Sequence, residues 1–280
     1  MEDGAMSRGQ TTERRAGALT REAVERTARA LGVAAFGVGD LRLFDGEDPQ
    51  RDPRFVCPEA RAIVGLGISV PRGLYRTMRE ATQFYPYTTL GVKAIDEEYF
   101  EILLFKLASL IEDAGYDACL QRSYPNLRRK GDKSANPETT GVYELQYAEP
   151  VEPGKPAPDV MIDFGRAAKA CGIGVPGRYG KVLNRAYGPL MRYAFIITDA
   201  PLAANAPCED DFCRGCDACA RACEAGCIDM ERGLDTWKCH EHYGQARGYS
   251  LPRTQWGYQA CLCGRRCDIA CYERITGRKV

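Results

Sequence analysis

Residues 212–227, FCRGCDACARACEAGC, set five cysteines among sixteen positions and constrain the chain more than any other feature. Cys213, Cys216, Cys219 and Cys223 follow the spacing C-x2-C-x2-C-x3-C. Thiols at two-residue intervals make a loop turn around whatever they hold, and a fourth thiol three residues on points away from it. Apart from Cys57, Cys119 and Cys171, all of the 14 cysteines lie between Cys208 and Cys271. Disulfide scaffolds pack their cysteines into much shorter chains, so this clustering within 280 residues points to metal. The two histidines are His240 and His242, which leaves a ligand set dominated by sulfur.

Structural zinc also accepts four thiolates, but from paired knuckles separated by a longer spacer. A tight run with its fourth cysteine at x3 matches the bacterial two-cluster arrangement, in which that fourth cysteine serves the other cluster. Cys267 and Cys271 repeat the x3 interval, Cys261 or Cys263 precedes them, and Cys239 lies between the two runs. The spacing predicts a crossed assignment: Cys213, Cys216, Cys219 and Cys271 hold one [4Fe–4S] cluster, and Cys223, Cys239, Cys263 and Cys267 hold the other. Cys261 stays open as an alternative to Cys263, and Cys208 and Cys227 read as small buried hydrophobes. Proline usually follows both runs, whereas Glu224 and Tyr272 stand there. Such an array is an electron conduit.

Residues 1–16 are polar, rich in Gly and Arg, and predict a frayed, flexible N-terminus. TREAVERTARALG has helical periodicity with a stop at Gly32. VAAFGVGDL and RAIVGLGISV read as buried strands. IDEEYFEILLFKLASLIEDAG is the strongest helix, with Ile102, Leu103, Phe105, Leu107, Leu110 and Ile111 as its apolar face and Gly115 as its stop. Residues 122–158 form a polar tract with GVYELQYAEP as a candidate strand inside it; irregular stretches of that length are usually functional or mobile. FGRAAKACG predicts a short helix ending at Gly172, and MRYAFIITDAPL a strand running into a turn. After Pro201 periodicity gives way to Cys, Gly and Arg, which sets a boundary near 200 and predicts domains at 17–200 and 201–280.

Lys+Arg and Asp+Glu both number 38 and the sequence pI is about 6.7. A balanced surface exerts no long-range pull on nucleic acid or anionic membrane, so neither partner is expected. No run approaches the roughly eighteen apolar residues of a membrane span. Arg14-Arg15 resembles a twin-arginine signal, but the charged AGALTREAVERTARAL that follows reads as an amphipathic helix, which predicts a cytoplasmic protein.

Residues 169–202, KACGIGVPGRYGKVLNRAYGPLMRYAFIITDAPL, lead almost at once into the first cysteine run. Ala170-Cys171-Gly172-Ile173-Gly174, Gly177-Arg178-Tyr179-Gly180, Tyr187-Gly188-Pro189-Leu190-Met191-Arg192 and Thr198-Asp199-Ala200-Pro201-Leu202 stand in an order that resembles the cobalamin-dependent reductive dehalogenases and epoxyqueuosine reductases. The resemblance covers residues 28–45, 60–71 and 96–275. It implies an α+β fold: a nitroreductase-like corrinoid-binding α/β sandwich followed by a ferredoxin-like module with two [4Fe–4S] clusters.

The same resemblance implies roles. Tyr99 falls where these families place a proton-donating tyrosine, and Arg192 where an arginine favours anionic intermediates. Asp159 stands near the offset of an acidic proton donor, with Asp163 as its rival. Arg178, Tyr179, Gly180 and Tyr187 fall where a base-off cobalamin is contacted. The expected function is an oxygen-sensitive oxidoreductase that passes electrons from a ferredoxin or flavodoxin through two clusters to the corrinoid. Its substrate is expected to be a small electrophile, reduced by dehalogenation or epoxide-type chemistry, and not tRNA. An iron–sulfur carrier without corrinoid and a corrinoid-reducing protein are the alternatives.

Overall fold

Thr20 lies in extended geometry and its hydroxyl accepts the Ala23 N–H at 3.2 Å, which starts the first helix. The computed structural model describes residues 19–123, 149–235 and 262–280, with residues 127–128, 143–144, 238–239 and 242. The expected terminus at 1–16, much of the 122–158 tract and Cys261 lie outside the described residues. In chain order the elements are α1 (Arg21–Ala30), β1 (Ala35–Gly39), β2 (Ala62–Ser69), α2 (Arg72–Arg79), α3 (Tyr85–Thr88), α4 (Phe100–Asp113), β3 (Ala118–Arg122), β4 (Leu127–Arg128) and β5 (Tyr143–Glu144). Then follow α5 (Phe164–Ala170), β6 (Val175–Pro176), β7 (Val182–Leu183), β8 (Met191–Thr198), α6 (Ala218–Ala222), β9 (Ile228–Asp229), β10 (Gly233–Leu234) and α7 (Arg266–Thr276).

Strands β1, β2, β8 and β3 form a sheet in that order, antiparallel throughout. Alternate residues face opposite sides. Val64, Leu66, Ala194 and Ile196 pack with Val24, Ala28, Leu103 and Leu107 of α1 and α4. Ile63, Tyr193, Phe195 and Ile197 pack with Ala167 and Ala168 of α5 on the other side. The result is a mixed α/β sandwich.

Two glycines set how closely α5 approaches. A Cβ on Gly37 would stand 1.9 Å from the Cys171 carbonyl oxygen, and one on Gly65 would stand 2.7 Å from Ile173. The sheet backbone is bare there because the end of α5 rests on it. Cys171 is part of this packing: it is fully buried and its thiol donates to the Ile63 carbonyl at 3.4 Å.

The strongest predicted helix differs in two ways. Its start is a π-helical segment, Thr89–Tyr99, that runs directly into α4. Its buried face is Phe100, Leu103, Leu104, Leu107, Ala108 and Ile111, a regular helical stripe, while Ile102 and Phe105 are 58% and 64% exposed. Those two apolar residues lie off the stripe by the angle a 3.6-residue turn requires.

Helix α7 looks both ways. Ile269 and Tyr272 join the core beneath the sheet, while Cys271 joins a separate core with Cys219, Tyr179 and Ile228. Glu273 pairs with Arg79 of α2 at 3.0 Å. Among the described residues no helix is long and apolar enough to cross a membrane.

Candidate functional site

The first cysteine run turns where Gly215 adopts φ 62° and the Cys216 N–H donates to the Cys213 carbonyl at 3.2 Å. Cys219 then enters α6, which packs on α7 and so meets Cys271. Cys213 and Cys216 are the ionisable neighbours of Cys219, and Cys213 and Cys219 are neighbours of Cys271. Burial pushes the Cys271 thiol up to about 12 and raises that of Cys219 as well.

The second group forms one helical turn along the same helix pair, around Cys223 and Cys267. Cys223, Cys239, Cys263 and Cys267 line one cavity, and Cys227 lines it too. Burial raises the Cys267 thiol, with the adjacent Asp268 carboxylate adding to the effect. The fold thus places Cys213, Cys216 and Cys271 near Cys219, and lines one cavity with Cys223, Cys227, Cys239, Cys263 and Cys267.

Among the described residues no three His, Cys, Asp or Glu side chains converge tightly enough for a single metal ion. The donor sets, all sulfur and grouped in fours, suit a larger sulfur-bound centre, to which each thiol would give up its proton on binding. Tyr179 provides a second sign. It is 3% exposed, and its hydroxyl sits against Cys271 without a hydrogen bond of ordinary geometry. A buried donor without an acceptor is costly, and a metal-bound thiolate at Cys271 would supply one. These residues fit iron–sulfur clusters.

The residues assigned to a corrinoid are divided. Tyr179 faces the cysteines, while Tyr187 is half-buried against the core around α5. The Arg178 guanidinium donates to the Met230 carbonyl, and Gly180 is exposed with φ 79°. Among the described residues these four are spread between two packing clusters and do not gather at one point.

At the start of β8, Arg192 donates through Nε to Asp96 Oδ1 at 2.9 Å and through Nη2 to Asp96 Oδ2. Asp96 is 1% exposed and sits on the π-helical segment that also ends in Tyr99. The Tyr99 hydroxyl donates to the Leu31 carbonyl at the end of α1, tucked beside Gly32. Asp159 lies on an exposed loop and lines a shallow pocket with Phe55, Val56 and Gln121. Asp163 caps α5, accepting the Arg166 N–H at 2.8 Å, and pairs with Arg51 at 3.7 Å. Asp96 has no signal in the sequence beyond its place three residues before Tyr99.

No family model matches the chain. The epoxyqueuosine reductase of Cyclobacterium marinum is 34% identical over 240 residues, covering 77% of this chain and 66% of that protein. The chain belongs to the family of epoxyqueuosine reductases and reductive dehalogenases. The epoxyqueuosine reductase of Bacillus subtilis is 23% identical over 247 residues, 84% of this chain and 53% of its own length. A tetrachloroethene reductive dehalogenase of Desulfitobacterium hafniense is 38% identical over 77 residues, 26% of this chain and 14% of that protein. The chain spans 53% and 66% of the two epoxyqueuosine reductases. A solved epoxyqueuosine reductase from Bacillus subtilis shares the fold with a TM-score of 0.54 at 18% identity, covering 92% of this chain and 66% of that one.

These relatives correct the expected function and partners. The relatives that match most of this chain are epoxyqueuosine reductases, which act on tRNA, so the exclusion of nucleic acid, and of tRNA as substrate, does not hold. The physical error lies in using net charge, which is a sum over the whole chain and says nothing about local clusters. Arg72, Arg76 and Arg79 stand exposed along one face of α2 in a chain whose total charge is zero.

Proposed function

We propose that this chain is an iron–sulfur reductase that acts on an epoxyqueuosine-type group carried by a tRNA stem loop. In this reading residues 17–200 form a nitroreductase-like domain and residues 201–280 a ferredoxin-like module with two [4Fe–4S] clusters. The observation that carries it is the gathering of cysteines from separate runs of the chain into two neighbouring groups along the α6–α7 pair. When bound, the clusters supply one-electron transfer at low potential. The reading includes a corrinoid, supported by family membership and not by the division of Arg178, Tyr179, Gly180 and Tyr187.

Opening an epoxide to an alkene consumes two electrons and two protons and releases water. Tyr99 and Asp159 are the candidate proton donors, the first from the helix end and the second from its exposed loop. Asp96 holds Arg192 in one orientation at the end of the sheet, where a fixed cation favours an oxyanion. Helix α2 leaves the same end of the sheet, since β2 ends at Ser69 opposite Met191, and its arginines would meet the RNA backbone. Thirteen cysteines without a disulfide among the described residues agree with a reducing, cytoplasmic setting.

The test is anaerobic reconstitution with iron, sulfide and hydroxocobalamin, followed by incubation of the protein with an epoxyqueuosine-modified stem loop and reduced viologen. The expected results are about eight iron per chain, retained cobalt, and loss of one oxygen atom from the RNA by mass spectrometry. Protein that keeps its iron but leaves the stem loop unchanged would overturn the reading.

A further inference from the structure

The second cysteine group holds one thiol too many. A [4Fe–4S] cluster offers four iron corners, yet Cys223, Cys227, Cys239, Cys263 and Cys267 all line the same cavity. We propose that Cys227 and Cys263 are interchangeable ligands, either of which completes the set formed by Cys223, Cys239 and Cys267. The proposal rests on the iron–sulfur reading above and names a ligand that the spacing of the two runs leaves out.

Three of the five are fixed by regular backbone. Cys223 caps the end of α6, and Cys267 lies in the first turn of α7, which packs on α6. Cys239 is tied in through Asp235, whose carbonyl accepts the Cys239 N–H at 3.0 Å. Cys227 belongs to the same frame. Its carbonyl accepts the Asp235 N–H at 2.8 Å, and its own N–H donates to the Cys223 sulfur at 3.3 Å. It is 3% exposed and immediately precedes the β9–β10 hairpin, so its side chain is held beside both Cys223 and Cys239.

Cys263 is presented differently. It stands before α7 on a turn whose next two residues, Gly264 at φ 65° and Arg265 at φ 50°, are both left-handed. Glycine accepts that conformation and arginine resists it. Arg265 is held there by the Asp268 carboxylate, with Nε to Oδ2 at 2.8 Å, and by stacking over the Tyr87 ring. One candidate therefore sits on relaxed backbone within the frame, and the other depends on a strained turn. Exchange between them is balanced: one thiol loses its proton as its sulfur–iron bond forms, and the displaced thiolate takes a proton up. No oxidant or reductant is needed.

The test compares wild type, Cys227→Ser, Cys263→Ser and the double variant after anaerobic reconstitution with iron and sulfide, read by iron content and by the EPR signal of the reduced protein. Wild type and both single variants are expected to hold about eight iron per chain, with a shifted second-cluster signal in the variant that has lost the resident ligand. The double variant is expected to fall to about four iron while keeping the first-cluster signal, which also shows that it has folded. A fall to about four in either single variant would overturn interchangeability, because that cysteine would then be indispensable. A double variant that keeps about eight would overturn it from the other side, with another ligand such as His242 or Cys261 filling the corner. Wild type that holds about four iron or fewer would instead sink the two-cluster reading on which the proposal rests.

Discussion

Asp96 and Arg192, 96 residues apart in the chain, meet in a two-pronged ion pair whose carboxylate is 1% exposed. Removing one partner of a buried pair leaves an uncompensated charge. Asp96→Asn is expected to destabilise the protein by about 3 kcal/mol in urea unfolding. Replacing both residues, Asp96→Leu with Arg192→Met, is expected to recover most of that loss. A single variant as stable as wild type would show that solvent already neutralises Arg192.

Cys271 is the one member of the first group that comes from the far run. Cys271→Ser is expected to halve the iron content after reconstitution, from about eight to about four, and to remove one of two EPR signals. Full iron content in this variant would break the crossed assignment.

The Tyr99 hydroxyl is engaged as a donor to Leu31 at the end of α1. Tyr99→Phe is expected to cost about 1 kcal/mol of stability from that bond. Loss of a proton donor is expected to lower turnover by about 100-fold or more. A stability loss with unchanged turnover would make Tyr99 a helix cap and leave Asp159 as the donor to test.

Arg72 and Arg76 project from α2 into solvent. Replacing both with Gln is expected to weaken stem-loop binding and to reduce the salt dependence of affinity, by roughly 0.7–0.9 in log–log slope for each phosphate that is no longer neutralised. An unchanged slope would place the RNA on another face of the molecule.

Much of the sandwich was legible in the sequence because local signals agreed with the final packing. Thr20 and Gly32 bracket α1, and the apolar runs around Val64 and Ile196 could only be buried strands. Helix α4 was legible as a helix but not in its facing, since Ile102 and Phe105 are as apolar as the residues that do pack. The π-helical turn that aims Asp96 at Arg192 has no sequence signature, because it is set by contacts with a strand that forms far along the chain. Cysteine spacing predicts two groups of four. It carries no signal that Cys227 lines the cavity of the second, which depends on the hydrogen bonds around Asp235.

Helix α7 carries Cys267 and Cys271 on one side and drives Ile269 and Tyr272 into the core beneath the sheet on the other. Whatever anchors those sulfurs therefore also anchors the helix to the sandwich. In the proposed reading, metal loading and folding become one equilibrium, since a ligand that binds only the folded form stabilises it. A shortage of iron would then be felt at the far side of the sheet, and the melting temperature of the whole molecule would report how well its clusters are supplied.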